Sequence, residues 1–485
     1  MDLPAKQATL AFLLSQAFKE LYTPRMLVIE HSFGDGFFCH EAQWETITEE
    51  EVKTLEGLMR KWLNNKTPIR LEHLSKTKVI EEFYKSNSYS KLEIAKQWEG
   101  EMIPIIRFGK YWDYRIEPMA VDKKQLKVFK LQKYNDGFLI RFPTLLNPDE
   151  LGTFQDHPKL FSIMEEHEQW GSILGVSTIR QLNKLIRTGE IKEMLWVAEG
   201  LHEKKISDIA DELVAGFPGK RVICIAGPSS SGKTTFAKRL GIQLRVNGFR
   251  THQLSMDDYF IDRKLIPVGP DGKQDFESIE ALDVELLSDR LDDLLRGNSI
   301  PRREFNFKTG KGHDLEERIQ LGEWDFVVME GIHGLNPVLS DRFGSERLQR
   351  IYVSAITQLN VDANHRISTS DNRLLRRLVR DHKFRGYTPE QTLERWPSVR
   401  MGEEKNIFPH QEQADFMFNT SLVYEFPVLA RYARPLLKNV RNHSAVGQEA
   451  KRLELLLSFF EPLEEEAVPG ISILREFIGK SEFDY

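Results

Sequence analysis

The stretch Gly227-Pro228-Ser229-Ser230-Ser231-Gly232-Lys233-Thr234-Thr235 follows the apolar run Val222-Ile223-Cys224-Ile225-Ala226. It precedes a segment in which Phe236, Leu240 and Leu244 share one helical face, with Asn247-Gly248 as its stop. A glycine, four spacers and Gly-Lys-Thr match the P-loop pattern in full. Strand, small-residue turn and helix in that order confine the surrounding chain to an α/β fold. The segments RVICIA, TTFAKRLGIQLRVNG, THQLSM, DFVVMEG and RIYVSA continue the alternation, which predicts a parallel sheet with flanking crossover helices. The residue types explain the chemistry. Small side chains let backbone N–H groups turn inward around phosphate oxygens. The helix beginning near Lys233 adds the positive end of its dipole. Lys233 is expected to reach the β- and γ-phosphates, and the Thr234 hydroxyl to bind Mg²⁺. The loop is therefore read as an ATP site formed by Gly227 through Thr235.

One hydrophobic core does not serve 485 residues, so two or three domains are expected. The pattern divides into an α+β module over 1–148, a helical connector over 149–215, the P-loop domain over 216–430 and a helical extension over 431–485. In the front module, Leu10, Leu13, Leu14, Ala17, Phe18 and Leu21 recur at helical spacing. MLVIEHSF and GFFCHEA flank Gly34-Asp35-Gly36 as a hairpin. Thr48 is placed to cap the helix TEEEVKTLEGLMRKWL. A net charge of −6 disfavours non-specific nucleic-acid binding. No stretch approaches the roughly 20 apolar residues that cross a bilayer, and no signal-peptide pattern is read. Two cysteines, Cys39 and Cys224, make no disulfide framework, so a cytoplasmic location is expected.

Ligands of parallel sheets gather at the carboxyl ends of strands. Asp257 in LSMDDYF and Glu330 in DFVVMEGIHG both end strands. Asp257 is a candidate to accept a proton from an attacking hydroxyl, with a helix cap as its plain alternative. Glu330 is a candidate to hold Mg²⁺ directly or through water, with a turn carboxylate as the alternative. DNRLLRRLVRDHKFRG puts Arg373, Arg377 and Arg380 on one helical face, with Arg376 beside them and Arg385 following. Ser370 or Asp371 is expected to cap that helix. Such a face suits a transferring phosphate; a solvated face paired with acids such as Asp381 is the alternative.

GPSSSGKTT, LSMDDYF, DFESIEALD, FNFKTG, EGIHGLN and RLLRRLVRDHKFRG, in this order, resemble the uridine kinase/phosphoribulokinase group of P-loop kinases. TQLNVDANHRISTSDNRLLRR, WPSVRMGEEKNIFPHQEQADFMFN and SILREFIGKSEFDY resemble a long bacterial subfamily described as uridine or nucleoside kinases. The resemblance is strong over about residues 200–485. It implies ATP-dependent phosphorylation of a nucleoside 5′-hydroxyl, with Lys233, Asp257, Arg377 and Arg380 as the catalytic set. It implies Arg385 at the ATP phosphates. It implies Asp257, Tyr259, Glu277, Phe305 and Arg377 around the acceptor. Asn419 and Thr420 fall near where such kinases hold adenine. The chain departs from the pattern in carrying Glu277 for an aspartate, Tyr387 for an arginine, and Gly310 where a base-contacting histidine falls. Ordinary core packing is the alternative for Phe305 and Phe307.

The front module resembles, more weakly, the second additional domain of threonyl-tRNA synthetase. The metal-binding positions of that domain fall on Ala8, Phe12, Arg115 and Met119, so neither zinc nor tRNA editing is expected. For Cys39-His40, a buried cysteine and a loop histidine are expected. The leading reading is an ATP:nucleoside kinase for uridine or cytidine, with no nucleic-acid or membrane partner. A kinase of another small hydroxyl compound is the second reading, and Lys308 and Lys311 leave a phosphorylated acceptor open. A nucleotide-dependent RNA-binding or regulatory protein is the third. Subunit assembly, and hence a homo-oligomer, is one open role for the front module.

Overall fold

The computed structural model describes residues 3–268, 274–306, 309–440 and 444–485. Phe307 and Lys308 lie outside the described residues. Backbone contacts divide the chain into two compact units, one of residues 1–195, 356–375 and 422–467, the other of 196–355, 376–421 and 468–485.

The first unit is α+β. The apolar face of the helix Leu3–Tyr22 buries Leu10, Leu13, Leu14, Ala17 and Phe18 against Ile29, Cys39, Phe138 and Ile140 of a four-stranded antiparallel sheet. Leu27–Phe33 and Gly36–Glu41 form the hairpin of that sheet, with Gly34 at φ 56° in the turn. Thr48 caps the helix Glu49–Asn64 through a reciprocal box with Glu51. His40 departs from expectation. It lies in the strand and is 3% exposed, its ring stacked 3.8 Å from Trp44 and its Nδ1 2.8 Å from the Glu41 carbonyl. The aromatic face of Trp44 makes a buried position there more favourable than a solvated loop. Segments distant in sequence are fastened to this unit by buried polar groups. Tyr114 donates to Asp362, and Arg452 bridges Asp371 at 2.7 Å and Glu449 at 2.6 Å. Asp371 is thereby spent on an ion pair rather than a cap.

The second unit is built on a parallel sheet of β1 (Val222–Ala226), β2 (Arg250–Ser255), β5 (Asp325–Glu330), β6 (Leu348–Ser354) and β7 (Phe416–Asn419), with β3 (Ile300–Asn306) and β4 (Lys311–Ile319) forming a separate antiparallel ribbon. The sheet order is β7-β6-β1-β5-β2, every pair parallel. Every residue of β1 is fully buried, as a central strand covered on both faces requires. Helices α1 (Lys233–Val246), α2 (Val284–Leu295), α3 (Thr369–Phe384) and α4 (Pro389–Asn406) follow strands or flank the site. Helix α3 starts one residue before Ser370. The side chain that reaches its first turn is Ser368, whose Oγ accepts the Ser370 N–H at 3.1 Å. Among the described residues no helix is long and apolar enough to cross a membrane.

Candidate active site

The turn between β1 and α1 opens at the carboxyl edge of the sheet. Its first glycine is fixed by close approach: a Cβ on Gly227 would lie 2.0 Å from the Val353 carbonyl of β6. Ser230 holds the left-handed φ of 59°, and the hydroxyls of Ser230 and Ser231 are buried with no hydrogen-bond partner among the described residues. Buried polar atoms of this kind cost about 1–3 kcal/mol unless a ligand satisfies them. Lys233 folds back over the loop, its Nζ donating to the Gly227 carbonyl at 3.0 Å and the Pro228 carbonyl at 3.3 Å.

Strand ends supply the acids. Glu330 closes β5 and accepts the Thr234 hydroxyl at 3.0 and 3.1 Å. Burial pushes its carboxyl up to about 7; Lys233 opposes the shift and Glu476 adds to it. A hydroxyl beside a carboxylate that burial leaves short of positive charge is the hard-oxygen donor set that suits Mg²⁺. Asp257 lies in the short 3₁₀ turn Met256–Tyr259 that follows β2. Its surface is open to solvent, but protein crowds it from the other sides. That crowding raises its pKa above the ordinary range, with Lys233 and then Arg385 pulling it back. Glu277 is pushed up to about 7 by burial and by Glu403, while Arg377 opposes. Its Cβ and Cγ rest on α4, where a Cβ on Gly402 would lie 2.7 Å from Glu277 Cγ.

Helix α3 divides its arginines. Arg377 donates to Ser229 Oγ at 2.8 Å, so the helix touches the phosphate loop directly. Arg377, Arg380 and Arg385 share the buried carboxylate of Asp381, at 3.2, 3.0 and 3.6 Å. The pairing with Asp381 holds the guanidinium groups together in a partly buried cluster rather than on a solvated face. Arg376 and Arg373 are buried, at 0% and 1% exposure, and Arg373 belongs to the first unit. Arg376 donates to the Thr420 carbonyl at 2.9 Å and to its hydroxyl at 3.1 Å, and lies over the Phe477 ring at 5.1 Å. The Thr420 hydroxyl in turn donates to the Ser231 carbonyl at 2.5 Å. Arg376 and Thr420 therefore brace the loop from beneath.

Lys233, Thr234, Asp257, Glu277, Glu330, Arg377 and Arg385 thus interact around one loop. Tyr259 and Phe305 do not join them. Tyr259 is 2% exposed in the core with Leu282, Leu287 and Met329, and Phe305 is 3% exposed beside Phe260 and Ala281. Asn419 is 1% and Thr420 0% exposed. An open groove of about 690 Å³ runs along Lys238, Ile242, Val246 and Phe483, and none of the site residues lines it.

Two residues at the site carried no sequence signal of their own. Glu403 of α4, 1% exposed, accepts the Ser229 N–H at 3.0 Å and is held by Arg400 at 2.9 Å. Glu476 accepts the Thr235 hydroxyl at 2.7 Å. His333, in the turn after β5, is 3% exposed, and burial lowers its imidazole to about 4, so it is neutral near pH 7.

The model of the Phosphoribulokinase / Uridine kinase family matches residues 222–423. A uridine kinase of Deinococcus deserti is 31% identical over 175 residues, covering 36% of this chain and 75% of that protein. A uridine kinase of Staphylococcus aureus strain JH9 is 29% identical over 198 residues, covering 40% of this chain and 86% of that protein. A solved structure described as a possible uridine kinase from Bacillus stearothermophilus is 19% identical, covers 44% of this chain and 98% of that chain, and superposes with a TM-score of 0.30.

Proposed function

The chain belongs to the phosphoribulokinase/uridine kinase family and is a phosphotransferase acting on a hydroxyl group, and from that premise we propose that it moves the γ-phosphate of ATP to the 5′-hydroxyl of a nucleoside, uridine or cytidine foremost. The observation that carries this reading is the convergence of Asp257 with Lys233 and Arg385 beside the loop that Arg377 touches.

In this reading the loop amides and Lys233 take the triphosphate, and Lys233 exchanges its two carbonyl contacts for phosphate oxygens. Thr234 and Glu330 are the residues that would hold Mg²⁺, which supplies charge neutralisation at the β- and γ-phosphates. Asp257 accepts a hydrogen bond from the acceptor hydroxyl and takes its proton as the new P–O bond forms and the bond from the γ-phosphorus to the β,γ-bridging oxygen breaks, with ADP as the leaving group. Arg377, Arg380 and Arg385 stabilise charge spread over the transferring phosphoryl oxygens. Glu277 is assigned to the acceptor side, where a carboxylate suits the hydroxyls of a neutral ribose and repels an acceptor that already carries phosphate.

The test is ADP release by the purified chain with Mg²⁺, ATP and a panel of acceptors. Uridine or cytidine is expected to give the highest kcat/KM. Turnover of sugar phosphates or sugar acids with nucleosides inert would discard the nucleoside reading and leave the phosphotransferase intact.

A further inference from the structure

The helix that follows the phosphate loop has no cap of its own. Its N-cap residue is Gly232, at φ 86°, which offers no side-chain acceptor. The first intrahelical bond runs from the Phe236 N–H to the Gly232 carbonyl at 3.0 Å, so the N–H groups of Lys233, Thr234 and Thr235 have no partner within the helix. These are the amides that a P-loop turns toward the α- and β-phosphates of its nucleotide. One of them is already taken. Glu476, 241 residues further along the chain, accepts the Thr235 N–H at 3.3 Å and its hydroxyl at 2.7 Å on the same carboxylate oxygen.

This carboxylate is delivered by a built segment. Ile473, Leu474, Phe477 and Ile478 are fully buried. Arg475 donates to the Val468 carbonyl at 2.6 Å, and the Glu482 N–H to the Gly470 carbonyl at 3.0 Å. Ile473 presses on the loop itself: a Cβ on Gly232 would lie 2.6 Å from Ile473 Cγ2. The Tyr485 hydroxyl, 2.8 Å from Thr235 Oγ1, closes the same corner. Arg376 lies over Phe477 and is bonded to Thr420, so the segment is anchored to the strand end that braces the loop.

We infer that the last eighteen residues, Val468–Tyr485, carry an internal competitor of the nucleotide phosphates: the Glu476 carboxylate occupies the Thr235 amide and must be displaced when the triphosphate enters. Glu476 is thus a determinant of donor affinity, set by the far end of the chain, and this inference rests on the reading of the loop as the ATP site. One further observation supports it. The buried Ser230 and Ser231 hydroxyls have no hydrogen-bond partner among the described residues, so the loop is left with donors to spare while one amide is held by an acid.

The experiment uses the full-length chain and isothermal titration calorimetry with ATP and with ADP in Mg²⁺, beside thermal melting of each variant. Glu476→Gln keeps the size and an oxygen acceptor for the Thr235 donors but removes the charge. It is expected to bind both nucleotides about tenfold more tightly, the difference between a charged and a neutral hydrogen-bond acceptor. Glu476→Asp keeps the charge but withdraws it by one methylene, and should tighten binding by less. Glu482→Gln removes a charge from the same segment, where the side chain lies against Gly470, and should leave both affinities unchanged. If Glu476→Gln binds ATP as the unaltered chain does or more weakly, with or without a lowered melting temperature, Glu476 is only a helix cap and the proposal fails. If the unaltered chain binds no ATP at all, the proposal falls together with the nucleotide reading beneath it, and the two failures are told apart.

Discussion

Replacing Asp257 by Asn tests the proposed chemistry most directly. The carboxylate stands just past the end of β2 and interacts with Lys233 and Arg385. The amide is nearly isosteric, so the turn Met256–Tyr259 is expected to persist. What is lost is the ability to receive a proton and to orient the acceptor hydroxyl. Proton transfer by a positioned side chain contributes about 10²–10⁴-fold, and each tenfold corresponds to about 1.4 kcal/mol. The expected fall in kcat is therefore about 10³-fold, or about 4 kcal/mol of barrier. ATP affinity is expected to hold or improve, because a negative charge beside Lys233 is removed. Burial holds the Asp257 carboxyl above the ordinary range, and the base works only when deprotonated. Activity of the unaltered chain should then fall as pH drops through that raised value. Burial also pushes the Glu277 and Glu330 carboxyls up to about 7, so they shape the same limb wherever nucleotide and acceptor leave them unpaired. Steady-state ADP release and calorimetry on the same samples separate these effects. A parallel loss of kcat and ATP affinity would refute the assignment and make Asp257 a support of the metal or the loop.

Two further substitutions probe how the site is held. Arg376→Met removes both donors to Thr420 and leaves a buried carbonyl without them, so denaturant unfolding should show a loss of about 3–4 kcal/mol, with ATP binding falling even where the chain remains folded. Gly402→Ala places a methyl 2.7 Å from Glu277 Cγ, while alanine in the middle of α4 gains about 1 kcal/mol of helix propensity. The clash with the stem of Glu277 costs about 1–3 kcal/mol, so stability should hold or fall, and the acceptor KM should increase about tenfold with the ATP KM unchanged; equal acceptor KM values would show that Glu277 takes no part in acceptor binding.

The phosphate loop was legible because its signal is local. Strand, glycine turn and helix follow one another without a gap, and the acids that end β2 and β5 are fixed by the same alternation. The arginine helix was legible in spacing but not in orientation. Periodicity places Arg373, Arg377 and Arg380 on one face, yet it does not tell that Arg376 turns inward to Thr420 or that Asp381 collects three guanidinium groups. The start of that helix was misjudged because Asp371, a good cap by type, is drawn into the ion pair with Arg452, 81 residues away in sequence. His40 was misplaced for a related reason: the stacking on Trp44 that makes its burial favourable is a tertiary contact, and a turn-side histidine carries no local mark of it. Glu403 and Glu476 reach the loop across separations of 174 and 241 residues, and each looks like an ordinary charged helical residue in its own neighbourhood.

The charge arrangement around the loop also bears on which molecules can occupy its two sides. On the side of α3, Arg377, Arg380 and Arg385 have one buried acid, Asp381, among them, so positive charge is left over for an incoming phosphate. On the proposed acceptor side stand Asp257 and Glu277, and burial pushes the Glu277 carboxyl up to about 7. A triphosphate is stabilised on the first side and repelled from the second. A neutral polyol offers hydroxyl donors to carboxylates without adding charge, whereas an acceptor bearing its own phosphate would have to approach those carboxylates. The same charges bear on Asp257: Lys233 and Arg385 favour its deprotonated form, the one the proposed transfer requires, and a triphosphate that takes up their charge works against it.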